Sequence, residues 1–200
     1  MSPSDATIIP LGPRRVLAEL HLRSDDELML LAASGLCEAF DELVTRYQSK
    51  MRAFCSRMLK STVRGDDVAQ EVFLEIWRTR QRYQAEGRFQ AFLFTAARNR
   101  CLRAIRDQRP REPDDTVPLA APADQLDTLL EAEHRRRVLH SINQLSPKLR
   151  EAIWLRFSAG LGFETIAEVT HIPVETARSR VFLGLKRLRA LLGDEKRSDP

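Results

Sequence analysis

Residues 174–192 read VETARSRVFLGLKRLRALL. At about 100° per residue, Ala177, Val181, Gly184, Leu185, Leu188, Leu191 and Leu192 form one stripe, the kind a helix buries against its own domain. Arg178, Ser179, Phe182, Lys186 and Arg189 share the opposite side. A ring among cations suits a groove with anionic walls and a partly apolar floor. Arg178 and Arg180 can pair with guanine edges or phosphates, Ser179 can bond either, and Phe182 can meet a thymine methyl.

The residues just before this stretch complete a helix-turn-helix pattern, FETIAEVTHIPVETARSRVF. Ile166, Ala167 and Val169 face inward, and the small Ala167 lets a second helix approach closely. Ile172 points in from the turn, and the second helix begins near Pro173–Val174. In this motif the second helix enters the major groove. The same geometry occurs in purely structural bundles, where Phe182 would pack on a neighbouring helix. His171 stands where the turn favours a left-handed conformation and glycine, so a structural histidine is expected there at some cost.

Two further stretches carry chemistry. In DDVAQEVFLEIWRTRQRY, residues 66–83, Val68, Ala69, Val72, Phe73, Ile76 and Trp77 form a buried stripe. Asp67, Gln70, Glu71, Leu74 and Arg78 line another side. That side is either solvated surface or a docking face with Leu74 as its apolar anchor. After it, Phe89, Phe92 and Phe94 interleave with Arg98, Arg100, Arg103 and Arg106, behind a glycine-bearing loop at 83–88. Rings plus arginines suit single-stranded nucleic acid, which needs stacking faces and backbone charge. At least two of the three phenylalanines are expected in the core.

The elements that position these faces read as helices. Ser24 caps a first helix whose opening residues, Asp25, Asp26 and Glu27, suit the helix dipole. Phe40, Leu43, Val44, Tyr47, Met51 and Phe54 repeat at helical spacing, and further helices are expected over about 65–82 and 89–107. A stretch with Pro110, Pro113, Pro118 and Pro122 reads as an extended linker. Helices resume beyond it, one with Ser146 as cap and Pro147 in its first position. The fold class is therefore all-α, with two helical domains at 24–108 and 125–193. A linker at 109–124 joins them, and tails occupy 1–23 and 194–200.

Composition narrows the function classes. Of 200 residues, 43% are hydrophobic and 30% charged, which excludes a disordered chain. The net charge of +4 is compatible with a polyanionic partner without demanding one. Cys37, Cys55 and Cys101 form no C-x-x-C pair and read as core thiols in a reducing compartment. The four histidines have no ligand spacing, so neither metal nor cofactor is expected. No Ser-His-Asp or paired-carboxylate arrangement suggests an enzyme, and no small-molecule substrate is expected. Pro10 and Pro13 interrupt the N-terminal apolar character, and the longest apolar run, LMLLAA, is too short to span a bilayer. A cytoplasmic protein is expected.

Across about residues 24–192 the chain resembles bacterial sigma factors of the extracytoplasmic-function type. The resemblance rests on DDVAQEVFLEIW, FQAFLFTAARN and LSPKLREAIWLRF followed by GFETIAEVTHIPVETARSRVFLGLKRLR, in the family's order and spacing. It implies a subunit that binds core RNA polymerase, directs it to promoters and helps open the duplex. Asp67, Gln70, Glu71, Leu74 and Arg78 match the polymerase-docking surface. Tyr83, Gln84, Glu86, Gly87, Arg88, Asn99, Arg100 and Arg103 match the region that reads the minus-ten element, where a base is flipped from its strand. Glu175, Thr176, Arg178, Ser179, Arg180, Phe182 and Lys186 match the minus-thirty-five reader. The resemblance further implies promoter DNA and an anti-sigma factor as partners, and a linker threading the polymerase.

The chain departs from the family pattern at Phe92, where tryptophan is usual, at His171, and at Leu183, often a cation. Glu175 can accept from a cytosine amine or simply suit the helix dipole. The alternative function is a stand-alone helix-turn-helix regulator that binds duplex DNA without polymerase. A pure protein-interaction module would tolerate neutralisation of the cations at 178–189.

Overall fold

Ser24 turns an extended entry into helix, and it does so through a complete capping box. Its Oγ accepts from the Glu27 N–H while its own N–H donates to the Glu27 carboxylate at 2.8 Å. The computed structural model describes residues 19–107 and 125–195. Within them lie eight α-helices: α1 (Asp25–Ala33), α2 (Cys37–Leu59), α3 (Thr62–Thr79), α4 (Phe89–Arg106), α5 (Gln125–Asn143), α6 (Pro147–Ile153), α7 (Phe163–Thr170) and α8 (Val174–Glu195). The expected linker, 109–124, and most of both tails fall outside the described residues.

The apolar repeat of α2 buries Phe40, Leu43, Tyr47, Met51 and Phe54 against α3 and α4. On α4 the buried set is Phe89, Ala91, Leu93, Phe94, Ala97 and Cys101. Phe54 meets Phe94 edge-on at 5.7 Å, and truncating either ring would cost about 3–5 kcal/mol. The expected stripe of α3 is inside, with Val68, Ala69, Val72 and Ile76 buried and Phe73 and Trp77 partly so. Gly65 sets how closely α3 starts beside the end of α2. A Cβ there would stand 2.4 Å from the Ser56 backbone, which leaves no room for one.

The last residues of the segment read as a loose tail are held. Leu20 is buried, and Arg46 donates to the carbonyls of Leu20, His21 and Arg23 while pairing with Asp25 at 2.9 Å. Cys37 corrects another expectation: it is exposed at the start of α2, and only Cys55 and Cys101 are core thiols. The neighbouring Cys101 thiol and burial together push the Cys55 thiol well above its ordinary range, so it stays protonated. The third helix splits, with α3 ending at Thr79 and a 3-10 turn covering Arg80–Arg82.

In the second half, Pro147 opens α6, but the Ser146 side chain makes no capping bond. The helix widens into a π turn at Trp154–Ser158. Ile166, Ala167 and Val169 of α7 are buried, as are Ala177, Val181 and Leu188 of α8. His171 joins the two in a left-handed conformation, φ 53° and ψ 49°, the strained turn expected from its position. The two halves touch: α4 packs against α7, and α2 against the π turn.

Candidate nucleic-acid interface

Three surfaces stand outside the hydrophobic core. On α3, Asp67, Gln70, Glu71, Leu74 and Arg78 are all exposed, with Leu74 at 52%. Val68, Val72 and Ile76 occupy the buried side, so the helix period itself turns Leu74 to solvent. Glu71 carries a cation borrowed from α4, because Arg100 Nε lies 2.7 Å from its Oε2. Arg100, read with the minus-ten group, therefore does not line the cleft described next. Arg103 is exposed one turn beyond Asn99, also outside the cleft walls.

The second surface is a cleft of about 660 Å³ between the loop at 83–88, α4 and α7. That size is within the range of small-ligand sites, about 300–1,000 Å³. Tyr83, Gln84, Glu86, Arg88 and Asn99, which the resemblance assigns to the minus-ten element, line it. Gly87 is not a wall but shapes the loop, with φ 72°. Sequence reasoning missed Arg82, Ala91, Thr95, Ala96 and the contributions of α7, Glu168 and His171. Nothing in the local pattern of α7 marks it as a neighbour of a loop eighty residues away.

Phe92 is 40% exposed and faces this cleft, whereas Phe89 and Phe94 are core. Its ring lies 5.3 Å from that of Tyr83, and Tyr83 in turn meets Phe89 at 6.0 Å. Burial pushes the Tyr83 phenol above its ordinary range, and its hydrogen bond to Asp26 adds to the shift. The cleft thus combines exposed ring surface, the Asn99 amide and two arginines. Groups of these kinds can stack on a base, hydrogen-bond its edge and neutralise its backbone. Arg88 is occupied by carboxylates, Glu86 on its own loop and Glu168 of α7 at 3.7 Å.

The third surface lies on α8. Phe182 is 66% exposed, and Arg178, Ser179 and Lys186 are exposed beside it, with Arg180 and Thr176 half-buried. Arg178 lies over the Phe163 ring at 5.6 Å and reaches Glu164 at 3.5 Å and Glu175 at 3.8 Å. Both carboxylates are well exposed, so these pairs hold the guanidinium only weakly. Glu175 thus partners Arg178 across one helical turn. Leu183 is half-exposed at the same rim.

Among the described residues, no group of three or more histidine, cysteine or acidic side chains could hold a metal ion. No described helix is long and apolar enough to cross a membrane.

Comparison with known proteins agrees with this division. A family model for sigma-70 region 2 matches residues 43–111, and one for sigma-70 region 4 matches residues 135–188. The chain is 35% identical over 166 residues to the RNA polymerase sigma factor CarQ of Myxococcus xanthus, covering 80% of this chain and 92% of that one. It is 32% identical over 174 residues to the ECF RNA polymerase sigma-E factor of Haemophilus influenzae, covering 80% and 90%. Among solved structures it resembles CnrH in complex with the cytosolic domain of CnrY, with TM-score 0.67, 25% identity and coverage of 85% and 97%. The fold also matches RpoE bound to the anti-sigma factor NepR from Bartonella quintana, with TM-score 0.62, 23% identity and coverage of 77% and 96%. Taken with the two helical domains and their exposed faces, these likenesses place the chain in the sigma-70 family, among the extracytoplasmic-function RNA polymerase sigma factors.

Proposed function

We propose that this sigma factor binds core RNA polymerase through α3, captures an unstacked minus-ten base in the cleft beside α4, and reads the minus-thirty-five duplex with α8. The observation that carries the assignment is the exposure of Leu74, Phe92 and Phe182 on three separate surfaces. Each is an apolar group withheld from its own core and set among charged or polar neighbours, the composition of a recognition surface. The protein supplies no bond-breaking chemistry of its own; its work is positioning and the stabilisation of unpaired bases. A cytoplasmic site of action, with promoter DNA and polymerase, goes with that role.

The described arrangement is a closed form. Elements centred about 25 base pairs apart are separated by about 85 Å on straight duplex. Here the cleft residue Arg88 is within 3.7 Å of Glu168 on α7, and α8 itself is only about 33 Å long. The two readers cannot reach both elements until the halves separate. CnrH, similar over 85% of this chain, was solved with the cytosolic domain of CnrY bound, which favours the closed form as one that a bound partner holds.

The test is transcription in vitro from a library of genomic fragments, using purified core polymerase with and without this protein. Defined start sites that depend on the protein and share two spaced motifs are the expected result. The stand-alone regulator predicts instead duplex binding that needs no polymerase and no new start sites.

A further inference from the structure

Six residues carry the chain from Arg82 to Phe89, and both ends of that loop are tied to one atom. Tyr83 donates its hydroxyl to Oδ1 of Asp26 at 2.8 Å, and Gly87 donates its N–H to the same oxygen at 3.1 Å. Asp26 lies in the first turn of α1, distant in sequence by 57 and 61 residues. A first-turn carboxylate is ordinarily explained by the helix dipole. That explanation is incomplete here, because Ser24 and Glu27 already close the cap reciprocally. Its neighbour Asp25 is engaged elsewhere, with Arg46 and the Tyr47 hydroxyl.

Two donors converging on one acceptor fix the distance between the loop's ends. Gln84 and Glu86 lie between them and Arg88 follows, so these cleft walls are presented in one shape. The Tyr83 ring is fixed a second time, by Phe89 and Phe92.

We propose that Asp26 is a positioning residue for promoter opening: by clasping Tyr83 and Gly87 it presets the cleft wall that receives the unstacked base. This rests on the assignment of loop 83–88 to the minus-ten element. Taking a base out of its stack is costly, and a wall ordered beforehand adds no ordering cost at that moment. Asp26 acts through the loop and touches no DNA.

The test uses the full chain, core polymerase and a promoter recovered from the fragment library, as intact duplex and with its minus-ten segment pre-melted by mismatches. Asp26→Ala should reduce open complexes on the duplex at least tenfold, read by permanganate reactivity of unpaired thymines. On the pre-melted template the loss should shrink to under threefold, with holoenzyme assembly unchanged within twofold. Asp26→Asn keeps an acceptor oxygen and should recover most of the opening, and Tyr83→Phe, which removes one of the two bonds, should fall between. In a Tyr47→Phe background Tyr83 is the sole tyrosine of the two in the chain. There Asp26→Ala should bring phenol ionisation, followed by absorbance, back toward ordinary pH.

Normal duplex opening by Asp26→Ala overturns the proposal, as does a loss that tracks holoenzyme assembly. Should Asp26→Ala not fold, Asp26→Asn and Tyr83→Phe decide, and parental opening by Tyr83→Phe counts against the clasp. Gln84→Ala and Glu86→Ala separate the two layers. If they shift minus-ten base preference while Asp26→Ala opens normally, only the role of Asp26 falls. If they shift nothing, the loop assignment falls and this inference with it.

Discussion

Arg98 of α4 and Glu151 of α6 join the two halves through a largely buried ion pair. Nε of Arg98 is 2.7 Å from Oε1 of Glu151, and the side chains are only 19% and 10% exposed. Arg57 supports the same junction, lying over the Trp154 ring at 4.9 Å and donating to the Ser158 hydroxyl at 2.6 Å. The junction also carries costs. Burial lowers the Arg57 pKa, and the Trp154 indole N–H is buried without a hydrogen-bond partner. A junction that carries such costs is open to weakening by loss of one partner.

Arg98→Ala should therefore open the free protein. Breaking a buried pair costs about 3–5 kcal/mol when the orphaned charge stays buried. Separation of the halves returns Glu151 to water, so closure gives way before either half unfolds. Small-angle scattering should report a larger radius of gyration, with helical content and thermal midpoint nearly unchanged. The exchange of both residues, Arg98→Glu with Glu151→Arg, should restore the compact form. An unchanged radius in Arg98→Ala would show that the pair does not hold the halves together.

Glu71→Lys combined with Leu74→Asp should abolish holoenzyme assembly. Both side chains are exposed on α3, and the Glu71–Arg100 pair is surface-accessible, worth about 1 kcal/mol or less. Circular dichroism should thus match the parent while co-elution with core polymerase is lost. Assembly by the double variant would remove α3 from the docking role.

Arg178→Ala should weaken minus-thirty-five binding by about 1–3 kcal/mol and relax preference at one base pair. Lys186→Ala should instead lower affinity alike for all sequences and reduce the salt slope by about 1. Titration of labelled duplexes at several salt concentrations distinguishes the two. Equal behaviour of the two variants would place both side chains on phosphates.

Acid should remove one identifiable contribution to stability. Arg52 grips Asp66 through Nε at 2.8 Å and Nη2 at 2.5 Å, and this holds the carboxyl below its ordinary range, against the opposing effect of burial. A depressed carboxylate pKa stabilises the fold above about pH 4, and that stabilisation is lost as pH falls through the folded-state value. With the Arg52 side chain 59% exposed and that of Asp66 32% exposed, screening limits the pair to under about 1 kcal/mol. Asp66→Asn should lower the thermal midpoint at pH 7 by about 2 °C, and the gap should close below about pH 3. A gap that persists in acid would assign the effect to something other than this ion pair.

Helix faces were legible in the residue pattern because periodicity dictates direction around an axis. The spacing of Val68, Val72 and Ile76 turns Leu74 outward, and that of Ala177, Val181 and Leu188 turns Phe182 outward, whatever the helices pack against. His171 was legible for a similar reason: a tight turn between two inward-facing stripes imposes its backbone conformation locally. Phe92 lies off the stripe of Phe89, Leu93, Ala97 and Cys101, yet only the neighbouring Tyr83 ring and the loop make its exposure a cleft wall.

Four features were decided by tertiary structure alone: the diversion of Arg100 to Glu71, the clasp of Asp26 on the loop, the capping of the cleft by Glu168 and His171, and the closure through Arg98 and Glu151. Their partners lie 29 residues apart for Arg100 and Glu71, 53 for Arg98 and Glu151, and 57 for Tyr83 and Asp26. Local spacing determines which way a side chain leaves its helix. Which distant group it meets depends on how helices cross and how two domains dock, and neither is encoded in the repeat of a single element.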